Sequence, residues 1–104
     1  EKLLTDYLKS SLPQEVGFPT VNYFAHKVNL SPNYFGDLIK KETGISPIEH
    51  IRTKVIDLAK ERIFDVDKSI AQIAYELGFK YPQHFTRLFK EKTGMTPIQY
   101  RELN

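Results

Sequence analysis

The stretch SPNYFGDLIKKETGISPI, Ser31 to Ile48, returns fifty positions later as YPQHFTRLFKEKTGMTPI, Tyr81 to Ile98. Proline, phenylalanine, leucine, lysine, threonine, glycine, proline and isoleucine hold the same places in both copies. Each copy reads as one helix. Pro32 and Pro82 fall at the first helical position, where a missing N–H costs nothing. Phe35, Leu38 and Ile39, matched by Phe85, Leu88 and Phe89, recur at the spacing of one apolar helical face. Gly44 and Gly94 then offer a left-handed stop. A chain of 104 residues that spells such a helix twice is built on a duplicated unit.

Working outward, each copy is preceded by a shorter helix. Thr20 is an N-cap for a segment expected to bury Val21, Phe24, Ala25 and Val28. Ser69-Ile70-Ala71-Gln72 is a capping box, with Ile70, Ile73, Ala74 and Leu77 facing inward and Gly78 ending the helix. Tight turns, Val28-Asn29-Leu30 and Gly78-Phe79-Lys80, join short helix to long, which is the layout of a helix-turn-helix. Between the two units, Ser46-Pro47-Ile48-Glu49 reads as a capping box that opens a connector running to about Asp65. Its apolar stripe is Ile48, Ile51, Val55 and Leu58, widened by Ile56, Ala59 and Ile63. At the amino end, Leu3, Leu4, Tyr7, Leu8 and Leu12 form a stripe ended by Pro13 and Gly17. Thr96-Pro97-Ile98-Gln99 opens a last short helix, expected to bury Ile98, Tyr100 and Leu103. Nothing alternates like a strand. The expectation is all-α: seven helices, divided into a leading helix with the first unit over 1–45, a connector over 46–65 and the second unit over 66–104.

Composition narrows the chemistry. The chain has no cysteine, so disulfides, thiolate metal sites and the reactive-cysteine chemistry of a repair protein are excluded. That fits a reducing cytoplasm. No apolar run is long enough to span a membrane, and no signal peptide is evident. The chain opens on Glu1 without an initiator methionine and reads as a piece of something longer, with any sensing or dimerising region expected upstream. His26, His50 and His84 lack metal-ligand spacing. With no nucleophile constellation and no phosphate-cradling glycine loop, neither an enzyme nor a cofactor is expected.

The outward faces of the duplicated helices carry the functional signal. Removing the core positions leaves Asn33, Gly36, Asp37 and Lys40 on the first, and Gln83, Thr86, Arg87 and Lys90 on the second. Both sets follow i, i+3, i+4, i+7 and form single ridges. Amide, hydroxyl and basic side chains in this arrangement read base edges and phosphates in a major groove. Asn33, Gly36, Asp37, Gln83, Thr86 and Arg87 are the expected base readers. Ser31, Lys40, Lys41, Tyr81, Lys90 and Arg101 are the expected phosphate contacts. Asp37 either accepts from a cytosine amine or pairs with Lys40 or Lys41, so the second unit is expected to discriminate more. The alternative is a helical module that docks a protein. A formal net charge of +2 permits either partner.

These residues resemble the C-terminal DNA-binding domain of AraC/XylS-type bacterial transcription regulators. The second signature is IAQIAYELGFKYPQHFTRLFKEKTGMTPIQYR, Ile70 to Arg101, in which Ala74, Gly78-Phe79, Phe85, Arg87, Phe89, Lys90, Gly94, Pro97 and Tyr100-Arg101 match the family pattern. The first unit, LSPNYFGDLIKKETGISP, matches as well, although Gly36-Asp37 replaces the basic or amide residue common there. The resemblance implies two homeodomain-like units at either end of the connector. Their third and sixth helices would enter successive major grooves on one side of double-stranded DNA. It also implies RNA polymerase as a further partner. A connector of about 27 Å, at 1.5 Å per residue, approaches the roughly 34 Å between such grooves.

Overall fold

The computed structural model describes residues 2–103. They form α1 (Lys2–Lys9), α2 (Leu12–Glu15), α3 (Val21–Lys27), α4 (Pro32–Thr43), α5 (Pro47–Arg62), α6 (Ile70–Glu76), α7 (Pro82–Thr93) and α8 (Pro97–Arg101), with no strand among the described residues. The all-α expectation holds, with one helix more than the sequence suggested. Ser10 is the reason. Its hydroxyl donates to the Tyr7 carbonyl and accepts from the Leu12 amide, which closes α1 early. Pro13 then sits in the first turn of a new helix, buried, rather than ending the old one.

Local chemistry sets the remaining boundaries. Thr20, Ser31, Ser46, Ser69 and Thr96 each accept the amide three residues on. The reciprocal half of the box exists only at Ser69 and Thr96. At Ser46 it is missing because the Glu49 carboxylate turns to Lys92 instead, at 2.6 Å. Gly44 and Gly94 stop α4 and α7 at φ 78° and 82°.

A single apolar cluster runs through the molecule. Leu4, Tyr7 and Leu8 of α1, Phe24 of α3, Ile51, Val55, Ile56 and Ala59 of α5, then Ile63, Ile73, Ala74, Leu77, Phe85, Leu88 and Phe89 all belong to it. The leading segment is therefore more than an appendage of the first unit. Helix α2 packs on α6, and the Phe18 ring lies 4.8 Å from Phe79, which stacks in turn on Phe85. At Gly78, φ is 95°, and an added Cβ would stand 2.7 Å from the Phe18 nitrogen and 2.8 Å from the Gly17 carbonyl carbon.

Several expected core positions face outward. Ile98 is 58% exposed, and Val28, Ile48 and Leu103 are also exposed. The caps explain Ile48 and Ile98. Each follows a first-turn proline, and fully buried Pro97 turns inward while its neighbour, a hundred degrees round the helix, turns out. Leu58 is half-buried, so the α5 stripe is Ile51, Val55, Ile56 and Ala59, continued by Ile63. Phe35, Leu38 and Ile39 are also only half-buried, and α4 has no fully buried residue. Phe35 and Ile39 line an open apolar groove of about 340 Å³ against Leu3, Val28 and Ile51.

Arg101 fixes the far end. Its Nε donates to the Ile63 carbonyl at 2.6 Å, and Nη2 donates to the carbonyls of Lys68 at 2.8 Å and Asp65 at 3.2 Å. It clamps α8 onto the turn between α5 and α6. Arg101→Ala leaves buried or half-buried carbonyls short of a charged donor. It is expected to lower stability by about 1.5–3 kcal/mol in urea melts, and a change below a few tenths would remove the clamp from the account. Gly94→Ala should cost only the left-handed strain, about 1–2 kcal/mol, because nothing lies within 4 Å of its new Cβ. Gly78→Ala adds a backbone collision and should cost clearly more, about 3 kcal/mol or above. Equal losses for the two would show that Gly17–Phe18 yields freely.

Candidate nucleic-acid interface

Both duplicated helices are fastened to the first half of α5, on opposite sides of it. On one side the Cβ position of Gly36 lies 3.9 Å from the Pro47 ring, and the Thr43 hydroxyl meets His50 Nε2 at 2.9 Å. On the other, Lys92 donates to Glu49, while Arg52 pairs with Glu91 at 3.8 Å and with Glu49 at 3.6 Å. The Lys92 hydrogen bond holds the Glu49 carboxyl below its usual range, with the charges of Lys92 and Arg52 adding to the effect. Both anchorages lie between Pro47 and Arg52, within the first two turns of α5, which is 16 residues long, or about 24 Å.

From these anchorages the ridges point outward. Asn33, Asp37, Lys40 and Lys41 are exposed on α4, as are Gln83, Arg87 and Lys90 on α7. Gly36 and Thr86 hold equivalent places at the flank and are half-buried. Gly36 turns towards Pro47, so it offers no outward side chain. Ser31 accepts the Tyr34 amide as N-cap, which leaves its hydroxyl proton free to donate. Tyr81 occupies the matching position without a side-chain cap, its ring edge-on to His84 and beneath Lys80. Arg101 does not join them: its donors are spent on the three carbonyls of the α5–α6 turn, and it is a structural clamp.

The charges divide in the same way. Among the described residues no carboxylate stands within 4 Å of Lys40, Lys41, Arg87 or Lys90. The expected pairing of Asp37 with Lys40 or Lys41 is not made, so that acid is left bare on the ridge. A hollow of about 310 Å³ brings Arg52 and His84 beside Arg87 and Glu91. Sequence reading assigns neither of them to the interface. Arg52 lies on the connector, where only the packing of α7 against α5 reveals it, whereas His84 was visible as the outward third residue of α7. No group of three metal-capable side chains occurs among the described residues.

Comparison with known proteins agrees with this geometry. The helix-turn-helix domain family model matches residues 24–103. The uncharacterized HTH-type transcriptional regulator YtdP of Bacillus subtilis is 35% identical over 83 residues, covering 80% of this chain and 11% of YtdP. This chain spans about half or less of the curated relatives it matches. The C-terminal domain of AraT, a response regulator from Geobacillus stearothermophilus, superposes with a TM-score of 0.82 at 28% identity, covering 99% of this chain and 84% of that one. The DNA-binding domain of the transcriptional factor AdpA, solved with a target DNA, shares the fold at a TM-score of 0.77 and 21% identity, over 98% and 88% of the two chains. With its two fastened ridges and a family match over most of its length, the chain belongs to the AraC-type helix-turn-helix family of DNA-binding domains.

Proposed function

We propose that this domain binds double-stranded DNA sequence-specifically by placing α4 and α7 in successive major grooves on one face of the duplex, as the output element of a bacterial transcription regulator. The observation that supports this most is the pair of matched ridges, each at the same place on its helix and each carrying cations without carboxylate partners. In this reading Asn33, Gln83, Thr86 and Arg87 meet base edges, and Asp37 meets them only where a cytosine amine is present. Gly36 faces the Pro47 ring at the flank of α4 and contributes no contact of its own to a base. Ser31, Lys40, Lys41, Tyr81 and Lys90 meet phosphates. The domain itself performs no catalysis. The reading carries RNA polymerase as a further partner, a sensing or dimerising region in the parent protein, and a cytoplasmic location. No helix among the described residues is long and apolar enough to cross a membrane.

An exposed arginine in the middle of the α7 ridge, such as Arg87, suits a paired contact with guanine O6 and N7. Arg87→Ala should cost about 1–3 kcal/mol and relax preference at one base position, whereas Lys90→Ala should weaken all sequences alike and flatten the salt dependence. The measurement is selection from random duplex DNA followed by titration at several salt concentrations. Binding without steep salt dependence would favour the protein-docking alternative. Asp37→Asn should tighten binding to all sequences slightly at low salt, with the gain fading as salt rises, because it lifts repulsion between a bare acid and the phosphates. A loss confined to sites with one particular base pair would instead make Asp37 a cytosine reader.

A further inference from the structure

The outward face of α4 is poor in side chains that can read a base. Gly36 has none, and Asp37 is an acid with no cation within 4 Å among the described residues. One large side chain on that helix stands mostly exposed, without an aromatic or polar partner among the described residues. Of the six tyrosines in the chain, Tyr7, Tyr23, Tyr81 and Tyr100 pack against other rings. Tyr34 and Tyr75 have neither an aromatic nor a polar side-chain partner among the described residues, and only Tyr34 lies on a ridge-bearing helix. It is 57% exposed.

Its position gives that exposure meaning. Tyr34 is the third residue of α4, in a first turn fixed by Ser31, whose hydroxyl accepts the Tyr34 amide at 3.2 Å. Side chains on a helix lean towards its amino end, and that is the end a recognition helix presents to base edges. Tyr34 is also the neighbour of Asp37 at i+3 and of Lys41 at i+7. The duplicated unit has exposed His84 at the same place, beside Arg87 at the 310 Å³ hollow. Since Gly36 turns to Pro47, the reading face of α4 swings towards its opposite flank, where Tyr34 stands.

We infer that Tyr34 is a specificity-determining residue of the first unit, whose ring packs on the 5-methyl group of a thymine in the major groove. The inference rests on the two-groove reading above. An aromatic ring offers apolar contact to that methyl. The bare Asp37 carboxylate beside it disfavours phosphate at the same spot, which directs the ring to a base edge and not to the backbone.

The test begins with the duplex selected by the wild-type chain. Each thymine of the half-site bound by α4 is replaced in turn by deoxyuridine, which removes only the methyl. One replacement should weaken wild-type binding by roughly four-fold, the worth of one buried methyl group. Tyr34→Ala should lose at least the same factor on the thymine duplex and add no methyl-dependent loss on the matching deoxyuridine duplex. Tyr34→Phe should bind as wild type does. Thermal melting of Tyr34→Ala should shift only slightly, because the side chain is mostly exposed and makes no aromatic or polar contact among the described residues. Three outcomes would overturn the inference: Tyr34→Phe losing as much as Tyr34→Ala, which would make the phenol a phosphate donor; equal methyl sensitivity with and without the ring; or no effect of Tyr34→Ala. Absence of any duplex binding by the wild type would instead sink the DNA reading itself.

Discussion

Helix α5 has to serve as a wall for two bodies at once. An ordinary amphipathic helix turns one stripe to one core. This one gives Ile51, Val55, Ile56 and Ala59 to the shared cluster while its flanks hold a ridge-bearing helix on either side. Magnitudes separate the two jobs. Each buried aliphatic side chain contributes about 1.5–3 kcal/mol, whereas exposed ion pairs such as those of Arg52 are worth about 0–1 kcal/mol. The apolar cluster therefore holds the molecule together. The Glu49–Lys92, Arg52–Glu91 and His50–Thr43 contacts contribute little to stability and mark where α7 and α4 meet the flanks of α5. A change of helical phase in α5 would move both ridges together.

That division explains what could be read in the sequence. Signals completed within a few residues were legible: the caps at Thr20, Ser31, Ser69 and Thr96, the left-handed stops at Gly44 and Gly94, and the apolar triad of α7, whereas its counterpart on α4 is only half-buried. Exposure of Asn33, Gln83, Arg87 and Lys90 followed from the same periodicity. What failed depended on partners distant in sequence. A carboxylate three residues after Ser46 looks like half of a capping box until Lys92 arrives to claim it. Arg101, a cation at the end of a helix, looks like a phosphate contact until three carbonyls of a distant turn surround it. In the sequence Gly78 reads as a helix stop. Its stricter role, admitting the backbone of Gly17–Phe18, belongs to a segment that periodicity assigned to the other unit.

The duplication conceals an asymmetry. In the second unit Phe85, Leu88 and Phe89 are buried, Phe89 meets Tyr100, and α8 closes the far side under the Arg101 clamp. The first unit has no separate helix corresponding to α8, because the same sequence signal, Ser46-Pro47-Ile48, opens α5 itself. His50 stands where Tyr100 stands in the repeat, and the apolar faces of Phe35 and Ile39 remain open on a groove. Equal helices in sequence are therefore unequal in packing. Local opening follows the density of buried contacts, so α4 is held less firmly than α7 although the two are spelled alike.

The same unequal partnership sorts the positive charges. Arg52, Arg62, Lys68, Lys92 and Arg101 bind carboxylates or carbonyls between elements. The cations of the outer α4 and α7 faces have no such partner among the described residues. A net charge of +2 therefore understates the attraction available to a polyanion, because the internal pairs cancel away from the ridges while the ridge cations keep their full charge. Salt acts on these two groups differently. Released counterions weaken phosphate contacts steeply, but the body rests on apolar burial, which moderate salt leaves intact. On the proposed reading, a domain built this way lets go of DNA well before it loosens its own fold, so the salt dependence of binding measures the interface and not unfolding.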